Sequence, residues 1–171
     1  VDTPGVNADG RVGDITNKYI ENANAVMFLK PLTGAALEST SFKNFIKSKS
    51  ADRSKSAMFL LLSRAATETR DNVVRLHEEA LKIYPSIDPK QIIPIDSKAE
   101  LFYNVVQDMS LEDMENYIMG LAKEQKLDSF ITAAWFTAGK DREKFLKDIK
   151  DISRFNVIDD ALNVFAHRAQ Y

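Results

Sequence analysis

The 171 residues are 44% apolar and 28% charged, with a formal charge of −2 at neutral pH. That balance suits a soluble globular domain with a sizeable core and argues against a protein whose main work is neutralising nucleic-acid phosphates, so no nucleic-acid partner is expected. Zero cysteines exclude disulfides and thiolate metal sites and fit a reducing, cytoplasmic setting. The two histidines, His77 and His167, are far apart in sequence and argue against a His-based metal centre. No apolar run approaches the ~18 residues of a membrane span, and no signal peptide opens the chain. The missing initiator methionine fits a trimmed or processed chain.

In chain order, Asp14 to Ala23 carries Ile15, Tyr19 and Ile20 at helical spacing. Residues 25–29 (Ala-Val-Met-Phe-Leu) then read as a strand. Leu37 to Ile46 repeats the helical pattern through Phe42, Phe45 and Ile46, and a polar stretch follows from Lys47 to Ser56. Residues 57–62 (Ala-Met-Phe-Leu-Leu-Leu) are the second strand, and Asp71 to Tyr84 a helix with Asp71 as N-cap and Pro85 past its end. Residues 92–95 (Ile-Ile-Pro-Ile) are the third strand. The three runs are continuously apolar rather than alternating, the signature of strands buried on both faces of a parallel sheet. Strands alternating with helices imply right-handed crossovers and an α/β architecture.

After Leu101 the strand-like runs disappear and the periodicity is helical to the end. Ser110 caps a helix through Ala122, and a second covers Leu127 to Thr137, stopped by Gly139. A third starts near Asp141 and a last runs from Val157 to His167. The chain thus divides into an α/β part, residues 1–101, and a helical part, residues 102–171.

The chemistry concentrates at the opening residues, Val1-Asp2-Thr3-Pro4-Gly5. A strand-end aspartate followed by Pro-Gly is a pattern that holds Mg²⁺ and senses a terminal phosphate. The Asp2 carboxylate would hold a metal-bound water, and Gly5 would let its backbone N–H approach the phosphate. Thr-Pro-Gly is also good turn chemistry, the plainer reading of the same residues. No G-x-x-x-x-G-K-[ST] phosphate loop occurs in the sequence, so the chain reads as the back half of a nucleotide-binding domain.

Val1 to Asn7, the following polar loop and helix, and the strand ending at Leu29 resemble the dynamin-like GTPases, particularly their bacterial members. The strand ending at Leu62 runs into Ser63-Arg64-Ala65-Ala66, where that family reads guanine. The strand ending at Ile95 runs into Asp96-Ser97-Lys98-Ala99, similar to the family's Ser-Ala-Lys loop beside the base. The resemblance implies a partial P-loop GTPase-type parallel sheet of about three strands, flanked by helices. It implies GTP or GDP and Mg²⁺ as cofactors of the intact protein, with none bound by this chain alone. It assigns nucleotide contacts to Asp2, Gly5, Ser63, Arg64, Ser97 and Lys98, with Asp2 the metal residue. It also implies self-association and a membrane surface as partners of the intact protein, hence a cytoplasmic or peripheral-membrane location. No catalytic residue is assigned.

One departure matters. The family's guanine-reading aspartate is Ala66 here, whose side chain accepts nothing. Loss of that acceptor removes roughly 1.5–3 kcal/mol of base discrimination, while Arg64 can still stack on a base. A pseudo-GTPase interaction module, and an unrelated α/β enzyme whose opening motif is only a turn, are the competing readings. The basic loop of Lys47, Lys49, Arg53 and Lys55 reads as a solvated loop before it reads as a lipid contact. Trp135 and Phe136 read as packing before a partner face. In relatives the strand at 25–29 pairs with the strand before the phosphate loop, so here it is expected either to be covered by the N-terminal segment or to self-associate.

Overall fold

The computed structural model describes Ile20, residues 23–47 and residues 55–169. Three strands, β1 (Val26–Pro31), β2 (Met58–Ser63) and β3 (Ile92–Pro94), form a parallel sheet in the order β1-β2-β3. Val26 lies opposite Met58, and Leu60 opposite Ile92. Helices α1 (Gly34–Leu37) and α2 (Thr40–Ile46) lie between β1 and β2, and α3 (Arg70–Ile83) between β2 and β3. After β3 the chain is helical: α4 (Ser97–Val106), α5 (Leu111–Lys123), α6 (Ser129–Ala138), α7 (Arg142–Ser153) and α8 (Phe155–Ala169).

Side-chain alternation sends the two faces of the sheet into two cores. Phe28, Met58, Leu60 and Leu62 meet Phe42, Phe45, Leu76, Ala80 and Tyr84 from α2, α3 and the residue after α3. The Phe28 ring stands edge-on to Phe42 and Phe45 at 5.2 and 5.3 Å between centroids. Tyr84 is buried, and its hydroxyl donates to the Leu37 carbonyl at 2.6 Å. On the opposite face Phe59, Leu61, Ile93 and Ile95 pack under Phe155, Ile158, Leu162 and Phe165 of α8. A third core lies among α4 to α7, around Phe102, Met114, Ile118, Ile131, Phe145 and Ile149. The helices after β3 therefore serve two purposes: α4 to α7 bury one another, and α8 returns to cover the sheet.

The parallel three-stranded sheet agrees with the expectation from the apolar runs. Burial on both faces holds for β2 and β3, but not for β1. There Met27 and Leu29 are 48% and 64% exposed, because the residues of α8 pack on β2 and β3. The helix expected over 37–46 is two short helices, each opened at a hydroxyl residue, Thr33 and Ser39. Helix α3 begins one residue before Asp71: Thr69 is the N-cap, accepting from the Asn72 N–H, and Asp71 sits in the first turn. Helix α4 runs through residues expected to be loop, because Asp96 caps it and Ala99, Phe102 and Val106 give it a buried stripe. Gly139, at φ 59°, ends α6 in the left-handed conformation that a glycine adopts at least cost. All of the expected helix from Asp14 to Ala23 except Ile20 and Ala23, and most of the basic loop, lie outside the described residues.

Candidate functional site

The carboxyl ends of β2 and β3 lie side by side, the position where open α/β sheets bind ligands. The Ala65 N–H donates to the Ile95 carbonyl at 3.0 Å, stitching the two strand-end loops together. Asp96 completes the join. Its Oδ1 accepts the Ala99 N–H at 2.9 Å, and its Oδ2 accepts the Ala66 N–H at 3.0 Å. Its own N–H donates to the Ser153 carbonyl at 3.0 Å. The side chain caps α4 because a short carboxylate at a helix start reaches the free N–H groups of the first turn. At 4% exposure, these backbone donors are what make its charge tolerable.

Ser63, Arg64, Ser97 and Lys98 are brought to this one end of the sheet. Ser63 is turned toward β1, donating its hydroxyl to the Lys30 carbonyl at 3.2 Å. Arg64 is exposed and holds φ 66° and ψ 31°, the left-handed region, which costs a non-glycine residue about 1 kcal/mol. That turn drops the chain into the single 3₁₀ turn of Ala65–Thr67. Ser97 and Lys98 are exposed in the first turn of α4, and Lys98 pairs with Asp128, just before α6, at 3.3 Å. Asp2 and Gly5, the expected metal and phosphate residues, lie outside the described residues. Among the described residues no cluster of three or more His, Asp or Glu could hold a metal ion.

Sequence reading missed Asp96 and the ion-pair network behind it. Glu100 accepts from Lys150 Nζ at 2.7 Å and from the Ser153 hydroxyl at 2.7 Å, and Lys150 lies 4.7 Å over the Tyr103 ring. These contacts tie α4 to α7 and hold the Ser153 carbonyl where Asp96 uses it. Aspartate after an apolar run, followed by Ser-Lys-Ala, was the available signal: it is a helix N-cap as much as a base-loop residue.

A cavity of about 920 Å³ adjoins the site between residues 65–70 and the α6–α7 pair. Its walls mix Arg70 and Arg154 with Glu68, Asp148 and Asp151, and neither Arg64 nor Ser97 nor Lys98 lines it. Arg154 is itself left-handed at φ 58°, and its buried Nε has no hydrogen-bond partner. A second cavity, of about 710 Å³, lies along α8 beside residues just before the strands, Ala57 and Gln91. His77 of α3 donates from Nε2 to the Ile92 carbonyl at 2.7 Å. Burial holds its pKa below the ordinary value, opposed by that hydrogen bond and assisted by the nearby Arg154 charge. No helix among the described residues is long and apolar enough to cross a membrane. Comparison with protein-family models, with curated proteins and with solved structures finds no match for this chain.

Proposed function

We propose that the chain is the second half of a dynamin-like GTP-binding domain, whose intact protein binds and hydrolyses GTP with Mg²⁺ in the course of self-association at a membrane surface. The observation that carries this reading is the meeting of the two loops, Ser63–Ala66 and Asp96–Ala99, at the carboxyl end of a parallel sheet. In this reading Arg64 covers one face of the base, Ser97 and Lys98 border its edge, and Asp2 holds the metal-bound water. Phosphoryl transfer rests on positioning and charge neutralisation. A segment bearing the phosphate loop would have to supply most of both.

The strand-end residues suit stacking on a base better than reading guanine. Ala66 offers no side-chain acceptor, and the one buried carboxylate beside it, Asp96, already accepts two backbone N–H groups. That observation favours a second reading, a pseudo-GTPase interaction module. The deciding experiment expresses the chain with its natural upstream sequence and measures Mg²⁺-dependent GTP turnover. The first reading expects an upstream G-x-x-x-x-G-K-[ST], turnover, and its loss in Asp2→Ala. An upstream region without that loop, or turnover indifferent to Asp2→Ala, overturns it.

A further inference from the structure

The cavity beside residues 65–70 holds an arginine that the fold leaves unpaired. Arg154, the residue that ends α7, is half-buried and forms part of its wall. Nε, the nitrogen nearest the backbone, is buried without a hydrogen-bond partner, and no other buried side-chain nitrogen or oxygen among the described residues is in that position. The rest of the guanidinium makes no hydrogen bond or ion pair with any described residue, although Asp148 and Asp151 of α7 line the same cavity. With Nε sunk in the wall, the guanidinium plane is fixed and the two Nη groups remain as an open fork of donors.

Two helices open on the same cavity, α3 through Thr69 and Arg70 and α8 through Asn156 and Val157. They are 14 and 15 residues long, so each brings the positive end of a developed dipole to it. Val73, Phe130, Ala134 and Ile152 supply an apolar wall. Three carboxylates oppose the positive side. Glu68 already accepts from Asn72 Nδ2, and Asp148 and Asp151 stand on α7, the helix that Arg154 ends. A doubly charged anion would gain on the fork and be repelled by these carboxylates, so the mixed walls favour a single negative charge. The volume, about 920 Å³, is that of a small-molecule site.

We propose that this cavity binds a small organic monocarboxylate, whose two oxygens accept from the Nη groups of Arg154 and whose apolar body lies against Phe130 and Ile152. Two parallel N–H···O bonds between a guanidinium and a carboxylate are charge-assisted and directional, and an arginine already held in place loses little freedom in making them. The dipoles of α3 and α8 add to the same end of the ligand. Arg64, Ser97 and Lys98 do not line the cavity, so the inference does not depend on the nucleotide reading.

The test titrates the 171-residue chain with 3-phenylpropionate and follows backbone amides and the Arg154 Nε–H by NMR. The neutral 3-phenylpropanamide and the doubly charged phenyl phosphate serve as comparisons. The carboxylate should saturate at roughly millimolar concentration, the range open to a ligand of its size, and should shift residues 65–70, α6 and the Arg154 Nε–H. The amide and the phosphate should both bind more weakly. Arg154→Gln should weaken the carboxylate roughly 10–100-fold, the loss of a hydrogen-bonded charge, and Arg154→Lys, which keeps the charge without the fork, should weaken it less. Circular dichroism checks folding. Should Arg154→Gln unfold the chain, Ala133→Trp, at an exposed position of the wall, fills the cavity with every charge kept and should abolish binding. Absence of a saturable response to 3-phenylpropionate overturns the proposal, as does binding unchanged in Arg154→Gln or Ala133→Trp. An amide that binds as well as the acid removes the role of the charge, and a tighter phenyl phosphate overturns the choice of a singly charged ligand.

Discussion

The Asp96 carboxylate lies 3.0 Å from the Ala66 backbone nitrogen, thirty positions away in sequence. With its other oxygen on the Ala99 N–H, one buried side chain fixes the relative position of the loops that follow β2 and β3. Any ligand bound at this end of the sheet meets a surface whose shape Asp96 sets. Asp96→Ala frees both N–H groups and should cost about 2–4 kcal/mol, a cap plus an unpaired buried donor. Urea unfolding of the variant measures it. A loss near zero would show that neither bond contributes.

Tyr84 ties the end of α3 to the end of α1 through its bond to the buried Leu37 carbonyl. Tyr84→Phe keeps the ring against Phe42 and strands that carbonyl, for an expected loss of about 1–3 kcal/mol. Burial, helped by Glu38, pushes the Tyr84 pKa from 10.0 up to about 12. The folded state therefore binds this proton more tightly than the unfolded state does. The associated stability is present in full below pH 10 and is lost as pH rises toward 12. Stability of wild type and Tyr84→Phe should converge over that window, as measured by unfolding at a series of alkaline pH values.

His77 has the opposite sign. Its folded pKa lies below the ordinary 6.5, chiefly through burial, with Arg154 adding to the depression and Glu78 opposing it. The unfolded chain then takes up the proton first, so the contribution is present above pH 6.5 and is lost as pH falls through the lowered value. His77→Gln keeps a donor for the Ile92 carbonyl and removes the titration. Its unfolding free energy should fall less than the wild type's between neutral and mildly acid pH. Parallel curves would mean that His77 does not titrate differently in the two states.

Nucleotide binding by the chain alone should be weaker than millimolar for both GTP and GDP, because no phosphate loop is present in its sequence. Calorimetry with Mg²⁺ tests this, and a micromolar dissociation constant would overturn it. In an active longer protein, Arg64→Ala should raise KM for nucleotide more than it lowers kcat, since a stacking contact binds ground and transition states alike. Discrimination of GTP over ATP should be poor and should improve in Ala66→Asp. An unchanged ratio would mean that the base is read elsewhere.

The sequence by itself determined the class of the three strands and of most of the helices among the described residues. Continuous apolar runs marked all three strands, and Ser110, Asp141 and Gly139 marked helix ends, because caps and periodicity are local properties. It also placed Ser63, Arg64, Ser97 and Lys98 at strand ends. Strand order and edge position belong to the tertiary structure. Residues 26–29 and 58–61 read alike, yet only the second run has a neighbour on each side and α8 above it, so only β1 leaves Met27 and Leu29 exposed. The same holds for α4. Its residues resemble a loop motif locally, and they form a helix because Phe102 and Val106 find the α5–α7 core and Asp96 finds backbone donors from two directions. Burial and long-range hydrogen bonding depend on partners that no local window contains.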